Sequence, residues 1–239
     1  MSDQQVIFYD LPSKQGTAWS LNPWKTRLYL NYKNIPYKTE WTEYPDLAPK
    51  FEKFGIPPNE TGFKYTSPTV KMPDGSYVME SRRIADALER VFPTPSMHID
   101  SKYQAPVDAA ILNCLGKMRP VFIPLVPKVF LNPRSVEHFV TSREKAIGKS
   151  LDEFGRTGDQ SIKDAQPHIR ELADMLAETD GPFFEGETPC YADFVVISFL
   201  RMLKGLGAVE KIYSLEGGER LKKQYQAAEA KGWLDRDSY

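Results

Sequence analysis

The stretch that decides the fold is Trp19-Ser20-Leu21-Asn22-Pro23-Trp24-Lys25-Thr26-Arg27. It follows a short apolar run, Val6-Ile7-Phe8-Tyr9, which is typical of a buried strand. Pro23 suits the first turn of a helix, because that position leaves the amide hydrogen unpaired in any case. The order is therefore strand, loop, small polar side chains and helix start. Free N–H groups and the helix dipole favour an anion at such a start.

Two interpretations of Ser20 and Asn22 stay open at this point. Serine and asparagine often cap helices, so either residue can serve only to satisfy the first amides. Alternatively, one of them holds an anionic group of a ligand at the helix start. The stretch by itself favours the capping role, and the rest of the chain has to decide.

The composition indicates a soluble folded protein that does not bind nucleic acid or membranes. The chain has 239 residues, 41% of them apolar and 26% charged, with a formal net charge of −1. Its first residues do not resemble a signal peptide, and no apolar stretch is long enough to span a bilayer. The two cysteines, Cys114 and Cys190, and three scattered histidines fit neither a disulfide framework nor a metal site. We expect a cytoplasmic protein without a bound metal.

Residues 1–94 are predicted to form a thioredoxin-like α/β domain with a mixed four-stranded sheet. After the helix that begins near Pro23, the alternation from Tyr37 to Trp41 predicts a second strand parallel to the first. A short helix is expected around residues 47–54. The turn Pro73-Asp74-Gly75 then separates two strands of a hairpin, and Glu80-Ser81 opens a helix that Pro93 ends. The order β-α-β-α-β-β-α is the thioredoxin arrangement.

Residues 102–239 are predicted to form an all-α bundle, joined to the first domain by a proline-containing linker. No convincing alternation follows residue 103, and apolar residues recur at helical spacing. The predicted helical segments are 109–118, 136–154, 162–176, 192–203 and 221–230. Pro120, Pro124 and Pro127 make a long straight helix after the first segment unfavourable.

Two dipeptides, Ser67-Pro68 and Glu80-Ser81, each permit a structural and a functional interpretation. A proline at a strand start often only marks an edge position. In a thioredoxin-like layout, a cis proline at Pro68 would turn the backbone of Ser67 outward to pair with a bound peptide. Ser81 can simply cap its helix, or it can hold a carboxylate there while Glu80 pairs with an ammonium group.

In combination, these motifs resemble those of the cytosolic glutathione transferases over essentially the whole chain. A hydroxyl at the first helix, X-Pro, Glu-Ser and an all-α second half occur in that order. Pro189-Cys190-Tyr191-Ala192-Asp193 also resembles the family's buried capping box, although Cys190 stands where serine or threonine is usual. Because no cysteine precedes Cys114, the pattern is of the serine type. It is most similar to bacterial β-etherases and fungal etherase-related glutathione transferases.

The resemblance implies a site that binds glutathione and activates its thiol. Ser20 would stabilise the thiolate with help from Asn22, while Ser67, Pro68, Glu80 and Ser81 would bind the peptide. The resemblance leaves open which of Lys50, Lys53 and Lys64 meets the glycyl carboxylate. Aromatic and flexible side chains are expected to wall a cleft for a hydrophobic aromatic electrophile, although each could equally be ordinary core: Trp19, Met118, Phe122 and Phe130.

The implied function is conjugation of glutathione to aromatic electrophiles, with β-aryl-ether cleavage as a further expectation. One alternative is a ligandin that binds aromatic compounds without efficient turnover. Another is a non-catalytic interaction module, which the joint presence of Ser20, Ser67-Pro68 and Glu80-Ser81 disfavours. The resemblance also implies a homodimer.

Overall fold

A mixed four-stranded sheet organises the first part of the chain, as seen in a computed structural model that describes residues 5–237. The strand order is β2-β1-β3-β4; β1 runs parallel to β2 and antiparallel to β3, and β3 runs antiparallel to β4. The strands are β1 (Val6–Asp10), β2 (Tyr37–Trp41), β3 (Thr69–Lys71) and β4 (Tyr77–Met79). With helices α1 (Leu21–Tyr32), α2 (Tyr44–Lys53) and α3 (Ser81–Val91), they confirm the thioredoxin-like prediction.

Strand β1 is central because it pairs on both edges. Val6 lies opposite Tyr37 of β2, and Phe8 lies opposite Val70 of β3. Phe8 is fully buried, as expected for a strand covered on both faces. Asn34, just beyond α1, has a φ of 53°, so a residue in the left-handed region follows the end of the helix.

The second part of the chain is helical, as predicted, but it is divided more finely. The helices are α4 (Gln104–Phe122), α5 (Val126–Val129), α6 (Pro133–Ile147), α7 (Leu151–Gly155), α8 (Gly158–Leu176), α9 (Tyr191–Gly205), α10 (Val209–Tyr213) and α11 (Gly218–Ala230). The prediction of a single helix over 136–154 is wrong. Gly148, with a φ of 80°, ends α6, and Ser150 caps α7 by accepting a hydrogen bond from Glu153 N at 3.2 Å.

Asp193 anchors the start of α9 from a fully buried position. Its Oδ2 accepts from Cys190 N at 2.8 Å, while Oδ1 accepts from Phe184 N at 3.0 Å and Gln224 Nε2 at 2.7 Å. Burial raises the pKa of this carboxyl to about 6. The reach of Asp193 back to the backbone of Cys190 confirms that part of the predicted capping box.

A short segment after α11 joins the helical half to the first helix. The backbone carbonyl of Asp237 accepts from Ala18 N at 2.6 Å, two residues before Ser20. Trp233 O accepts from Asn31 Nδ2 at 2.8 Å, and Arg236 O accepts from Arg27 Nη1 at 3.2 Å. The loop that carries Ser20 is therefore supported from both halves of the chain.

Across residues 5–237, the helices are too short or too polar to cross a membrane.

Candidate active site

A cavity of about 480 Å³ lies between the sheet half and α6. This volume is in the range of small-molecule sites. Its wall consists of Leu11, Ser20, Asn22, Tyr44, Pro45, Leu47, Ala48, Glu52, Phe63, Lys64, Tyr65, Thr66, Ser67, Glu80, His138 and Arg143. Four residues selected from the sequence as candidates for catalysis or glutathione binding thus share one cavity: Ser20, Asn22, Ser67 and Glu80.

Ser20 stands at the N-terminus of α1 and contributes to the helix through its backbone. Its carbonyl accepts from Trp24 N at 3.0 Å, whereas its hydroxyl makes no capping hydrogen bond with the described residues. The first turn of α1 contains no acidic side chain, so the positive end of the helix dipole is not neutralised there. Asn22 is exposed on the same wall. The hydroxyl of Ser20 is consequently available to an anion at the helix start.

The Ser67-Pro68 peptide bond is cis, as predicted from the thioredoxin-like layout. Ser67 Oγ donates to Tyr9 O at 3.0 Å, so this side chain is tied to the end of β1 while the residue lines the cavity. Pro68 is buried behind the wall, and its carbonyl accepts from Glu80 N at 3.3 Å. The contact joins the two predicted dipeptides at one place.

Glu80 adopts a positive φ of 79°, which is uncommon for a residue with a side chain. Its Oε1 accepts from Thr66 Oγ1 at 2.5 Å and from Asn59 Nδ2 at 3.0 Å. These two bonds fix the carboxylate in the wall. Ser81 follows as the first residue of α3 and lies just outside the wall.

Trp19, Met118 and Phe122 do not line this cavity, contrary to expectation. Trp19 is 4% exposed, stacks on Phe130 with ring centroids 4.9 Å apart, and donates from Nε1 to Pro12 O at 3.1 Å. Met118 is fully buried, and Phe122 packs against the same core. The end of α4 is therefore used for packing within the core, and α6 supplies the facing wall of the cavity.

The cavity residues that were not anticipated from the sequence include three aromatic side chains and one cation: Tyr44, Phe63, His138 and Arg143. Tyr44 of α2 stacks on His138 of α6, with a centroid distance of 6.3 Å and an interplanar angle of 11°. Burial raises the pKa of Tyr44 to about 12, so its hydroxyl stays protonated at neutral pH. Local patterns gave no signal, because charged residues on an amphipathic helix usually face solvent.

The three candidate lysines have different surroundings. Lys50 pairs with Glu40 at 2.6 Å, Lys53 lies outside the wall, and Lys64 is part of it. Lys64 is therefore the one of the three that lines the cavity. No group of three or more potential metal ligands occurs among residues 5–237.

Comparison with known proteins gives the family. The model of the glutathione S-transferase C-terminal domain matches residues 104–228, and the model of the N-terminal domain matches residues 19–91. The chain belongs to the glutathione S-transferase family. The glutathione S-transferase-like protein ustS of Aspergillus flavus is 35% identical over 217 residues, covering 81% of this chain and 77% of that protein.

Solved glutathione S-transferases share the architecture. A glutathione S-transferase of Ceriporiopsis subvermispora, crystallised with glutathione, is 27% identical with a TM-score of 0.81, covering 94% of this chain and 97% of that chain. Glutathione transferase GSTFuA3 of Phanerochaete chrysosporium is 28% identical with a TM-score of 0.82, covering 94% and 96%. The thioredoxin-like domain followed by a helical domain is thus the fold of these family members.

Proposed function

We propose that this family member is a serine-type glutathione transferase that conjugates glutathione to aromatic electrophiles. The observation that carries the proposal is the meeting of Ser20, Ser67 and Glu80 around one cavity at the start of α1. The relatives crystallised with glutathione support this peptide as the co-substrate.

Glutathione is placed in this proposal by matching its charges to the wall. The fixed carboxylate of Glu80 pairs with the γ-glutamyl ammonium group, and the start of α3 at Ser81 receives the γ-glutamyl carboxylate. The backbone of Ser67, before the buried Pro68, pairs with the cysteinyl unit. Lys64 meets the glycyl carboxylate at the exposed end of the cavity.

Ser20 then acts on the thiol. A free thiol has a pKa of about 8.5, so only a small fraction is ionised at neutral pH. A hydrogen bond donated by Ser20 Oγ to sulfur, together with the α1 dipole, favours the thiolate, and each pKa unit corresponds to about 1.4 kcal/mol. Asn22, exposed at the same helix start, supplies a second donor.

The acceptor is attacked by this thiolate between α2 and α6. The rings of Tyr44, Phe63 and His138 give that side of the cavity an aromatic surface. For an activated aryl ether, the sulfur forms a C–S bond while the C–O bond breaks, and the phenolate leaves with the electron pair. This is the etherase-like form of the same transfer.

Glutathione turnover with a panel of electrophiles tests the proposal, comparing wild type with Ser20→Ala. The panel contains an aryl halide, an isothiocyanate and a β-aryl ether, and glutathione binding is measured by calorimetry. We expect kcat/KM to fall about tenfold or more while binding persists, because the lost interaction acts on the thiolate. Ser214→Ala, an exposed serine outside the cavity, is the matched control.

Other outcomes separate the alternatives. Glutathione binding without turnover in either protein would replace the transferase by a ligandin, and absence of glutathione binding would end both proposals.

Two further properties belong to the proposal by family resemblance, a homodimeric assembly and a cytoplasmic location. Sedimentation at micromolar concentration that shows a monomer would contradict the first, and fractionation that places the protein in an organelle would contradict the second.

A further inference from the structure

Arg143 differs from the other cationic groups near the cavity because its charge is half-buried and uncompensated. It belongs to α6 and forms part of the same cavity wall as Ser20. Within residues 5–237 no carboxylate oxygen lies at ion-pair distance from its guanidinium, whereas Arg134 of the same helix pairs with Asp46. Its one hydrogen bond among the described groups goes to the neutral hydroxyl of Ser142, at 3.1 Å.

Aromatic rings hold the guanidinium in place. Its Cζ lies 4.5 Å from the ring centroid of Phe63 and 4.6 Å from that of Phe139, with Tyr44 at 6.0 Å. Ring faces attract and orient a cation without cancelling its charge. The buried surroundings lower the pKa of Arg143, although a guanidinium remains protonated at neutral pH. An anion entering the cavity therefore meets an oriented, partly desolvated charge with free donors.

The acidic groups of the wall do not satisfy this charge. Glu80 is engaged through Oε1 with Thr66 and Asn59, and in the proposed function it meets the ammonium group of glutathione. Glu52 is exposed, and no ion pair joins it to Arg143 among the described residues. The part of the cavity bounded by α6 is thus positively charged and lined with rings.

We propose that Arg143 binds a carboxylate on the acceptor substrate, so that the preferred electrophiles are aromatic compounds bearing a carboxylate group. The guanidinium fork matches a carboxylate in two parallel hydrogen bonds, and the substrate ring packs on Tyr44 and Phe63. The inference rests on the proposed function, because it names the substrate class of the same site. It specifies a selection that a hydrophobic aromatic cleft alone does not provide.

Two aryl chlorides of similar shape test this selection, 4-chloro-3-nitrobenzoate and 4-chloro-3-nitrobenzamide. In both, the glutathione thiolate, whose proton has passed to solvent, forms a C–S bond at the carbon that carries chlorine. Chloride leaves with the electron pair of the C–Cl bond, and the carboxylate or amide is unchanged. Enzymatic kcat/KM values are divided by the uncatalysed rate constants, which removes the difference in intrinsic reactivity.

The variants are Arg143→Gln, Arg143→Lys and the matched control Lys145→Gln, which removes the same charge from an exposed position on α6. For Arg143→Gln we expect the benzoate-to-benzamide ratio to fall about tenfold, the effect of one charge-assisted pair. Arg143→Lys keeps the charge but loses the planar guanidinium and its stacking on the rings. Its benzoate-to-benzamide ratio is therefore expected to lie between those of wild type and Arg143→Gln. Lys145→Gln is expected to change the ratio by about twofold or less.

Calorimetry with unreactive 3-nitrobenzoate and 3-nitrobenzamide, in the presence of S-methylglutathione, separates this inference from the proposed function. Tighter binding of the benzoate that disappears in Arg143→Gln supports the anion site even if no electrophile is turned over. Equal binding of both compounds by wild type overturns it, even if other electrophiles are conjugated. A weaker glutathione affinity in Arg143→Gln with an unchanged ratio would assign the guanidinium to the peptide and also overturn the inference.

Discussion

Replacement of Arg27 by glutamine tests how the first helix is fixed to the sheet. Arg27 Nη2 donates to Asp10 Oδ2 at 2.7 Å, and the two side chains are 1% and 0% exposed. Nη1 donates to Tyr37 OH and to Arg236 O, both at 3.2 Å. The variant loses these bonds and leaves the Asp10 carboxylate buried, with the Leu11 N–H at 2.6 Å as a remaining donor.

The expected loss of unfolding free energy is about 4 kcal/mol, the usual cost of removing one partner of a buried ion pair. Urea titrations followed by circular dichroism measure this loss, with the same dependence of unfolding free energy on urea concentration used for both proteins. The exposed pair between Arg82 and Asp86, 3.0 Å apart and 43% and 38% exposed, provides the control. Arg82→Gln should cost about 0.5 kcal/mol or less.

The loss should also depend on pH in a defined direction. Burial raises the pKa of Asp10, and the Arg27 charge opposes that rise. Without Arg27 the folded-state pKa moves further above the unfolded value of about 3.9, so folding takes up a proton as pH falls. The deficit of Arg27→Gln is therefore largest at neutral pH and narrows on acidification. A deficit below about 1 kcal/mol at neutral pH, or one that widens in acid, would refute the reasoning.

Three further predictions concern other groups. Glu80→Gln should weaken glutathione binding about tenfold in calorimetry, because the ammonium group loses its ion pair; an unchanged affinity would place the ammonium group elsewhere. The thiols of Cys114 and Cys190 are buried, which raises their pKa values. The native protein should therefore react slowly with a disulfide reagent, and both thiols should react after unfolding in urea. Rapid reaction of either thiol in the native protein would contradict the burial. Asp193→Ala should cost about 3 kcal/mol in urea unfolding, because the Gln224 amide and two backbone N–H groups lose their buried acceptor; a loss within error would show that water replaces it.

The elements of the sheet half were predictable because their signals are local. Pro23 marks the first helix, Asn34 ends it, and Pro73-Asp74-Gly75 forms the hairpin turn. The same holds for Ser20 and Glu80, since each stands at the start of a helix, where polar side chains and free amides meet. Such positions can be recognised from a few neighbouring residues in the sequence.

The facing wall was not predictable, because long-range packing determines it. Arg143 reaches the cavity only because α6 docks on α2, where Asn132 Nδ2 donates to Glu43 Oε1 at 2.8 Å. In the opposite sense, Trp19 and Met118 were expected in the wall but lie in the core. An apolar side chain has the same appearance in a sequence whether it packs against a core or lines a cavity.

The segment 233–237 has a consequence for chimeric proteins that exchange the helical domain between relatives. Such an exchange also replaces the carbonyl groups that accept hydrogen bonds from Ala18 and Arg27. The loop that carries Ser20 is then held by residues of the other protein. A change in glutathione activation in the chimera would then be misassigned to the acceptor half. If the native 233–237 segment is kept after the exchanged helices, an effect on glutathione activation can be distinguished from an effect on the choice of acceptor.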